Sequence, residues 1–317
     1  MYSAVTRGVC LSVGCLFYIL GICGNALIIW TFLKTKRLRI VQNVFVVMLA
    51  IIDFHIIGIL MPFTVYILIS NEAPMSKAVC QMFGALAHMF FTLCLQFIMC
   101  IAISRYVKVC HGNKFYILFS PRKVCVMTIT CLIYWFIFLV PIMTEEDYII
   151  FDKGFQMCMF NRFKNQTYTT IYTFFCLFLP VTVTSICYIK LYCYIRKAKH
   201  RLCRSWNNGL ARQRIMHELT VTRSQFAVFV AYLILYMPFG VSTILGENPG
   251  ANWAWLNPAG YYCGLANSCI NSVLYGMMNK NMREAYFEVV PCLRKKINMR
   301  IHPLLNKHSG TTATTPF

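Results

Sequence analysis

The sequence predicts an all-α membrane protein, a bundle of seven transmembrane helices followed by a C-terminal interfacial amphipathic helix. The first observation is composition: 58% of the 317 residues are hydrophobic and only 13% are charged, whereas soluble domains carry about 25% charged residues. The second is a set of six or seven apolar runs, each near the ~20 residues that cross a bilayer. The third is that basic residues fall almost entirely on alternate connections between the runs.

The apolar runs leave little of the chain for anything else. They lie at about 9–33, 43–69, 80–104, 124–144, 168–193, 224–245 and 254–276. We therefore predict a short extracellular amino terminus over 1–8, a seven-transmembrane domain over 9–276, an amphipathic helix over 277–292 and a disordered cytoplasmic tail over 293–317. The polar, basic stretch 194–223 is predicted to be the longest inner connection.

The distribution of charge predicts the orientation. Basic residues cluster after the first, third and fifth runs and near the carboxyl end. Loops rich in Lys and Arg stay in the cytoplasm, so we expect a plasma-membrane protein with its amino terminus outside and its tail inside. The net charge of +20 would suggest nucleic acid in a soluble protein. Here contact with anionic membrane lipid explains it, and no nucleic-acid partner is predicted.

The seventeen cysteines do not form a metal or redox motif, because no pair has the required spacing. Most lie inside the apolar runs, where a thiol packs as a small apolar side chain. Cys80 and Cys158 differ, since both are predicted on the outer side, where oxidising conditions permit a disulfide. We predict this bridge, which would hold the outer loop over the mouth of the bundle.

Two modifications are predicted near the membrane boundaries. Asn165 begins an Asn-Gln-Thr sequon in an outer connection, where a glycan can be attached. Cys292 follows a segment in which Met282, Tyr286 and Phe287 share one face, as in helices that lie in the interface plane. Basic residues surround Cys292, so reversible palmitoylation is expected. An unmodified thiol in a flexible tail is the open alternative.

Asp53 is the most costly residue inside an apolar run. A buried charge costs at least ~2.5 kcal/mol at the bilayer centre, so this carboxylate should face the bundle interior. Its expected partners are Asn25 in the first run and Asn267, Ser268 and Asn271 in the seventh. Two interpretations stay open: a structural hydrogen-bond network, and a hydrated core that rearranges between two states, with or without a cation.

Prolines inside four runs predict kinked helices. They are Pro62, Pro141, Pro180 and Pro238. Proline bends a helix, and the bend is tolerated in a membrane where neighbours or water satisfy the freed carbonyl. Kinked helices around a polar core favour a bundle that opens a cavity and pivots, rather than a passive anchor.

Several short motifs occur in order along the runs. They are Gly24-Asn25 in the first, Leu49 to Asp53 in the second, Cys80 and Ser104-Arg105-Tyr106 at the two ends of the third, Trp135 in the fourth, Pro180 and Tyr188 in the fifth, Pro238 in the sixth, and Asn271 to Tyr275 in the seventh. Arg105 by itself would be explained as an interfacial anchor, and each motif alone is weak. In this order and spacing they resemble the rhodopsin-like class of G-protein-coupled receptors, over roughly residues 15–292.

Within that class the chain is most similar to melatonin receptors. The stretch from Arg37 to Val47 looks like their first inner loop and second span, and the stretch from Tyr261 to Asn281 looks like their seventh span. Ser272 fits as well, because that group also lacks proline there. Phe160 matches an aromatic residue that stacks on the ligand in those receptors.

The resemblance implies a ligand pocket among the third, fifth, sixth and seventh runs, with an aromatic and nearly uncharged lining. Its members would be Ala87, His88, Phe91, Phe160, Tyr172, Cys176, Tyr236, Phe239 and Tyr261. The implied activation switch consists of Asp53, Arg105, Tyr106, Tyr188, Tyr236, Pro238, Asn267, Asn271 and Tyr275. Ligand binding would swing the sixth run outward and free the arginine for a heterotrimeric G protein, of the inhibitory type as for melatonin receptors.

Departures from the melatonin-receptor pattern argue against melatonin as the ligand. Cys176 replaces a histidine, Glu145 replaces a ligand-contacting asparagine and Arg162 replaces a glutamine. A site built around specific hydrogen bonds loses much affinity when its polar partners change. Ala87 stands where amine receptors carry an aspartate, so a protonated amine would lack its counter-ion. Leu265 replaces the retinal lysine of opsins, which excludes an ordinary Schiff-base photoreceptor.

The switch also departs from the class. Ser104 replaces the acid that normally neighbours Arg105, which removes a charge partner and predicts raised ligand-free signalling. Tyr236 replaces the usual tryptophan of the sixth run. Cys94 replaces a serine of the sodium site, so the resemblance supports a sodium ion near Asp53 only weakly. No other metal or cofactor is predicted.

The sequence thus predicts a receptor rather than an enzyme, since it contains no nucleophile–base pair or metal-ligand cluster. The favoured function is a G-protein-coupled receptor for an extracellular, small, mostly apolar ligand. Acidic Glu145, Glu146 and Asp147 keep a peptide ligand open, and the altered switch keeps open a signalling-silent partner of another receptor. An ion transporter or channel with Asp53 on its path is disfavoured by the missing repeats and charge rings.

Overall fold

The computed structural model describes residues 2–72, 76–145, 147–204, 209–245 and 255–290. These residues form seven long helices, called here the first to seventh spans, which confirms the predicted all-α fold. The first four spans are Ala4–Lys34, Val41–Ser70, Lys77–Cys110 and Pro121–Thr144. The fifth consists of Gln166–Thr173, Phe174–Phe178 and Leu179–Arg204, the sixth is Gly209–Leu245 and the seventh is Leu256–Met278.

Hydropathy separates the seventh span from the other six. Among the described residues, the first six spans are long and apolar enough to cross a membrane. The seventh carries the buried polar side chains of Asn257, Asn267 and Asn271, and it packs against the first and sixth spans. Polar residues are tolerated at this depth when they face neighbouring helices instead of lipid, so the polarity of this helix follows from its interior position.

Two of the proline bends follow a π turn. The second span contains Ile56–Leu60 just before Pro62, and the fifth contains Phe174–Phe178 just before Pro180. A proline ring clashes with the carbonyl four residues earlier, and in both spans that carbonyl lies inside the wider π turn. One inserted residue rotates the side chains that follow by about 100° around the helix axis. The π turns therefore help to decide which outer side chains face the bundle interior.

Polar caps set where three spans begin. The side chains of Ser3, Ser76 and Asn165 accept hydrogen bonds from the backbone N–H three residues further on, at 3.1, 3.2 and 3.0 Å. Each bond satisfies one of the donors that a helix start leaves unpaired. The first span therefore begins at Ala4, and most of the segment predicted as an extracellular amino terminus is helical.

A β hairpin covers the end of the bundle that we call the outer end. Strand β1, Ile149–Asp152, pairs antiparallel with strand β2, Met157–Phe160. A disulfide between Cys80 and Cys158 joins β2 to the third span. These are the two cysteines that the sequence predicts on the outer side and therefore in a disulfide.

The hairpin fits closely against its neighbours because two positions lack a side chain. A Cβ at Gly84 would lie 2.4 Å from the Ile149 side chain, and one at Gly154 would lie 2.5 Å from Asn257 Nδ2. Tyr2 donates a hydrogen bond from its hydroxyl to the Gly154 carbonyl at 2.9 Å. Burial raises the pKa of Tyr2, which keeps the hydroxyl protonated. The hairpin is thus held by the third span, the seventh span and the amino terminus.

The opposite, inner end carries two short helices, Gly112–Leu118 after the third span and a terminal helix, Lys280–Val289, after the seventh. Met282, Ala285 and Tyr286 of the terminal helix are buried, and this helix packs against the first and seventh spans. The apolar face of this helix therefore contacts the bundle.

The inner connection 194–223 is mostly helical over its described residues. The fifth span continues to Arg204 and the sixth begins at Gly209. Lys, Arg and Glu lower hydropathy, but they have good helix propensity. The two helices therefore extend well beyond their apolar parts.

Candidate functional site

A polar core lies where the first, second, third and seventh spans meet. Asp53 is fully buried, and its carboxylate accepts hydrogen bonds from Asn271 Nδ2 at 2.7 Å and from the Cys94 thiol at 3.6 Å. Asn25 Nδ2 donates to the Ser268 carbonyl at 2.7 Å. Helices far apart in the chain are thus joined by polar contacts inside the bundle, where each contact is protected from competing water.

The same core contains candidate ligands for a sodium ion. Asn267 Oδ1 and Asn271 Oδ1 have no hydrogen-bond partner in the part of the chain that the structure describes, and such oxygens suit a hard cation. Cys94, however, contributes sulfur, which suits softer metals, and the Asp53 carboxylate is already bonded to N–H and S–H donors. These residues fit a hydrogen-bond network better than a sodium site.

At the inner end, Gln42, Arg105, Lys108, Glu218 and Gln225 form a cluster that we call the inner clamp. Arg105, 3% exposed, donates from Nε to Gln225 Oε1 at 2.6 Å, and its guanidinium lies 3.7 Å from the Glu218 carboxylate. Lys108 Nζ lies 3.0 Å from Glu218 Oε1 and 3.2 Å from Gln42 Oε1. The inner clamp joins the third span to the second and the sixth, and it gives the buried guanidinium the partners that burial demands.

Glu218 supplies the acid that position 104 lacks. Ser104 Oγ donates to the carbonyl of Ile101 on its own helix at 2.8 Å. The expectation that Arg105 has no close charge partner is therefore wrong, because the partner comes from the sixth span. Glu218 is the single acid in the basic stretch 194–223. A single acid in a polar, basic stretch carries no hydropathy or motif signal that would connect it with Arg105.

Three tyrosines predicted in the switch also lie in the inner half. Tyr188 packs on Phe226 of the sixth span with ring centroids 5.2 Å apart. Tyr188 and Tyr275 are buried, and their hydroxyls have no hydrogen-bond partner among the described residues. Tyr106 instead lies outside the inner clamp, with its hydroxyl 3.1 Å from His111 Nε2. A buried unpaired hydroxyl costs about 1–3 kcal/mol, so Tyr188 and Tyr275 would gain from a rearrangement that supplies partners.

His88, Phe160 and Tyr172 form an outer aromatic cluster that joins the third span, β2 and the fifth span. The His88 ring lies 4.3 Å from that of Tyr172 and 5.4 Å from that of Phe160, centroid to centroid. The hydroxyls of Tyr172 and Thr92 share a hydrogen bond of 2.6 Å. His88 Nε2 is buried without a partner in the described ranges. A flat ligand could stack here and give this nitrogen its hydrogen bond.

A second contact among the predicted pocket residues lies between the third and sixth spans. Phe91 meets Tyr236 edge-on, with ring centroids 5.5 Å apart. The Tyr236 hydroxyl is buried and has no hydrogen-bond partner in residues 209–245 or elsewhere in the described chain. Ala87 and Cys176 are buried on the third and fifth spans. Tyr236 thus joins the sixth span to the predicted pocket residues of the third span.

Two predicted pocket residues make their contacts elsewhere. Phe239 packs on Phe155 of the hairpin turn at 5.2 Å, and the hydroxyl of Tyr261 shares a hydrogen bond of 2.8 Å with that of Thr64 on the second span. The structure therefore does not gather all the predicted pocket residues around one cavity. Phe155 was missed by sequence reasoning, because it lies in a loop without a motif.

An outer cavity lies between the hairpin and the outer ends of the sixth and seventh spans. Its volume is about 130 Å³, and its lining includes Asp152, Phe155, Phe160, Arg162 and Asn257. Phe160 belongs both to this cavity and to the outer aromatic cluster. Sequence reasoning did not single out Asp152 or Asn257, since nothing in the chain indicates that a hairpin turn meets the start of the seventh span.

The predicted modification sites remain predictions. Asn165 is exposed, and its cap on the fifth span uses Oδ1, not the nitrogen that would carry a glycan. Cys292 and the tail predicted over 293–317 lie outside the described residues.

Comparison with known proteins agrees with the motifs. Residues 24–275 match the family model described as 7 transmembrane receptor (rhodopsin family). Melatonin receptor type 1C of Gallus gallus is 26% identical over 87% of this chain and 80% of its own, and melatonin receptor type 1A of Ovis aries is 26% identical over 87% and 75%. The crystal structure of squid rhodopsin is similar with a TM-score of 0.79 and 19% identity, covering 92% of this chain and 88% of its own, which shows the same fold.

Proposed function

Because the chain belongs to the rhodopsin family of seven-transmembrane receptors, we propose that it is a G-protein-coupled receptor for an extracellular, small and mostly apolar ligand. The family is one of multi-pass membrane receptors and not of enzymes. In this proposal the hairpin faces the outside of the plasma membrane and the terminal helix faces the cytoplasm. The partner is a heterotrimeric G protein, and the inhibitory type is favoured by the likeness to melatonin receptors.

The observation that carries the proposal is that two spans connect the outer aromatic cluster to the inner clamp. His88 and Arg105 lie on the third span, about 25 Å apart along its axis at 1.5 Å per residue. The sixth span touches this helix at both levels, through Tyr236 on Phe91 and through Glu218 on Arg105. A ligand shifts a conformational equilibrium by its differential affinity for the two states. A ligand that displaces Tyr236 would therefore change the position of Glu218.

Activation in this proposal is a bend of the sixth span. Pro238 lies two residues after Tyr236 inside this helix, and proline permits a bend there. An outward swing of the inner half would withdraw Glu218 and Gln225 from Arg105. The guanidinium would then be available to a G protein.

The chemistry of the outer site disfavours two ligand classes. Ala87 provides no counter-ion for a protonated amine at the level of the outer aromatic cluster. Melatonin is disfavoured because Glu145 is exposed at the end of the fourth span and Arg162 donates to a carbonyl of the sixth. The buried His88 Nε2 and Tyr236 hydroxyl favour a flat ligand with one or two hydrogen-bonding groups.

Nucleotide exchange tests the proposal. The purified receptor in lipid nanodiscs would be mixed with several G proteins and a ligand collection, and an active ligand should accelerate exchange on at least one of them. Arg105→Ala should abolish this response and retain ligand binding, whereas Arg196→Ala, at an exposed position of the fifth span, should retain both.

Other outcomes would support other functions. Exchange that never responds, in a receptor that still binds ligand, would support a signalling-silent partner of another receptor. Ion flux into vesicles without any G protein would support a transporter or channel. Activation only by basic peptides would support a peptide receptor.

A further inference from the structure

The outer cavity is small and is chemically unlike the outer aromatic cluster. Its volume of about 130 Å³ is well below the ~300–1,000 Å³ of drug-sized pockets. It would take a molecule of a few heavy atoms, or the end of a larger one.

Two hydrogen-bond acceptors in its wall lack a complete set of partners. Asp152 Oδ1 accepts from the backbone N–H groups of Gly154 and Phe155 at 2.7 and 3.1 Å. The other carboxylate oxygen has neither a hydrogen bond nor an ion pair among the described residues. Asn257 is only 8% exposed, and its Oδ1 has no hydrogen-bond partner in the described chain. A buried acceptor of this kind calls for a donor.

Arg162, the basic residue that also lines the outer cavity, does not neutralise the charge of Asp152. Asp152 and Arg162 make no ion pair with each other. Arg162 donates to the Thr243 carbonyl, and its guanidinium lies 4.5 Å from the ring centroid of Phe163. These contacts attach the Arg162 guanidinium to the sixth span and to Phe163. Aromatic faces such as that of Phe155, which also lines the cavity, attract cations.

We propose that the outer cavity binds a small protonated amine, with Asp152 as its counter-ion and Asn257 Oδ1 as a second acceptor. This site goes beyond the proposed receptor function, since its anchoring residues are not those of the predicted ligand pocket and it takes a different chemical class. The two share Phe160, whose ring lines the cavity and lies 5.4 Å from that of His88. An amine in the outer cavity would therefore change the affinity of the outer aromatic cluster for its ligand. The ligand would change the affinity of the cavity for the amine by the same factor.

Thermal unfolding of the purified full-length receptor tests this binding without any G protein. The probe is pentylamine, and the comparison compounds are pentan-1-ol, of equal length without charge, and pentanoate, of opposite charge. We expect a saturable rise in Tm of about 2–4 °C at tenfold the Kd of pentylamine, and no such rise with the other two.

Matched variants locate the site. Asp152→Asn retains Oδ1 as acceptor for the hairpin turn and removes the charge, so it should abolish the shift. Asp147→Asn removes an acid of the same loop that pairs with Lys77 at 3.4 Å outside the cavity, and it should leave the shift intact. Asn257→Asp adds a second carboxylate and should tighten pentylamine binding about tenfold, the effect of one added favourable charge contact.

Several results would overturn the proposal. An equal shift with pentan-1-ol would show that the cavity binds apolar chains without regard to charge. A larger shift with pentanoate would make Arg162 the anchor. A shift that persists in Asp152→Asn, or an unchanged pentylamine affinity in Asn257→Asp, would remove the assigned residues from the site.

Discussion

The two ends of the third span are held by different forces. At the outer end, His88, Phe160 and Tyr172 contact one another through their rings, and each aromatic pair contributes about 0.5–1.5 kcal/mol beyond its buried area. At the inner end, Arg105 is held by Glu218 and by an amide oxygen at short range. A ligand's ring can replace one of these aromatic contacts at little cost in free energy, whereas a buried charge that loses its partner must find another one. The outer end is therefore adaptable, and the inner end has discrete states.

Removal of the disulfide should have the largest effect, because it attaches the hairpin beside the outer aromatic cluster. Cys80 and Cys158 are 78 residues apart, and loss of a native disulfide costs about 2–5 kcal/mol. Cys158→Ser should lower the Tm of the purified receptor by several degrees and weaken ligand binding more than it changes ligand-free exchange. Cys125→Ser, at an exposed thiol of the fourth span, is the control. Equal losses in both variants would mean that the bridge does not organise the outer end.

Weakening the inner clamp should raise ligand-free activity. Glu218→Gln removes the negative charge beside Arg105 and Lys108, and a loss of about 1.4 kcal/mol from the inactive state corresponds to tenfold faster nucleotide exchange. Glu288→Gln removes an acid that pairs with Arg37 at 2.8 Å on an exposed surface, and exchange should stay at its original rate. No increase in Glu218→Gln would show that this ion pair does not restrain the sixth span.

Restoring an acid on the third span should reverse that change. In the Glu218→Gln background, Ser104→Asp offers Arg105 a new carboxylate from its own helix. Exchange should fall back toward the rate of the unmodified receptor, whereas Ser104→Asn, of similar size without charge, should leave it high. If Ser104→Asp has no effect in this background, the altered residue next to Arg105 does not control basal activity.

The smallest expected effect is at the outer hydrogen bond between Tyr172 and Thr92. Tyr172→Phe keeps the ring contacts and loses one hydrogen bond, worth about 0.5–1.5 kcal/mol. The Tm should fall by 1–3 °C while ligand-free exchange is unchanged. Tyr116→Phe, at a residue 79% exposed on the short inner helix, serves as the control for loss of a hydroxyl. A change in basal exchange would show that the two ends are not separable in this way.

Much of the fold could be predicted because it depends on local properties of the chain. Apolar length predicts the spans, and the placement of Cys80 and Cys158 on the outer side predicts the bridge. Asp53 and Asn271 could be paired because both are polar residues in the bilayer, where few partners exist. The first helix begins at Ala4, before the first apolar run, a start that hydropathy does not predict because it does not register the Ser3 cap.

The contacts that define the candidate sites could not be predicted in the same way. Glu218 pairs with Arg105 across more than a hundred residues of sequence, and a polar helix beyond the membrane has no hydropathy signal. The shape of the outer cavity depends on how closely Gly154 approaches Asn257. No sequence motif predicts this approach. The predicted pocket residues are mostly aromatic and nearly uncharged, and the sequence identifies them by that property. Which of them contact one another depends on the rotation of the helices after the π turns and on local packing.

The sequence by itself determined that this chain has the apolar runs of a seven-span membrane protein, resembles rhodopsin-like receptors and turns the acid of its second run toward the bundle interior. Composition, the lengths of the apolar runs and the order of the short motifs suffice for these conclusions. Each of these features depends on residues that are neighbours in the sequence. The tertiary structure alone decided that Glu218 holds the arginine, that the aromatic residues divide into separate contacts and that Asp152 meets Asn257 at the outer end. These depend on distances of a few ångströms between helices, and such distances follow from packing of the whole bundle.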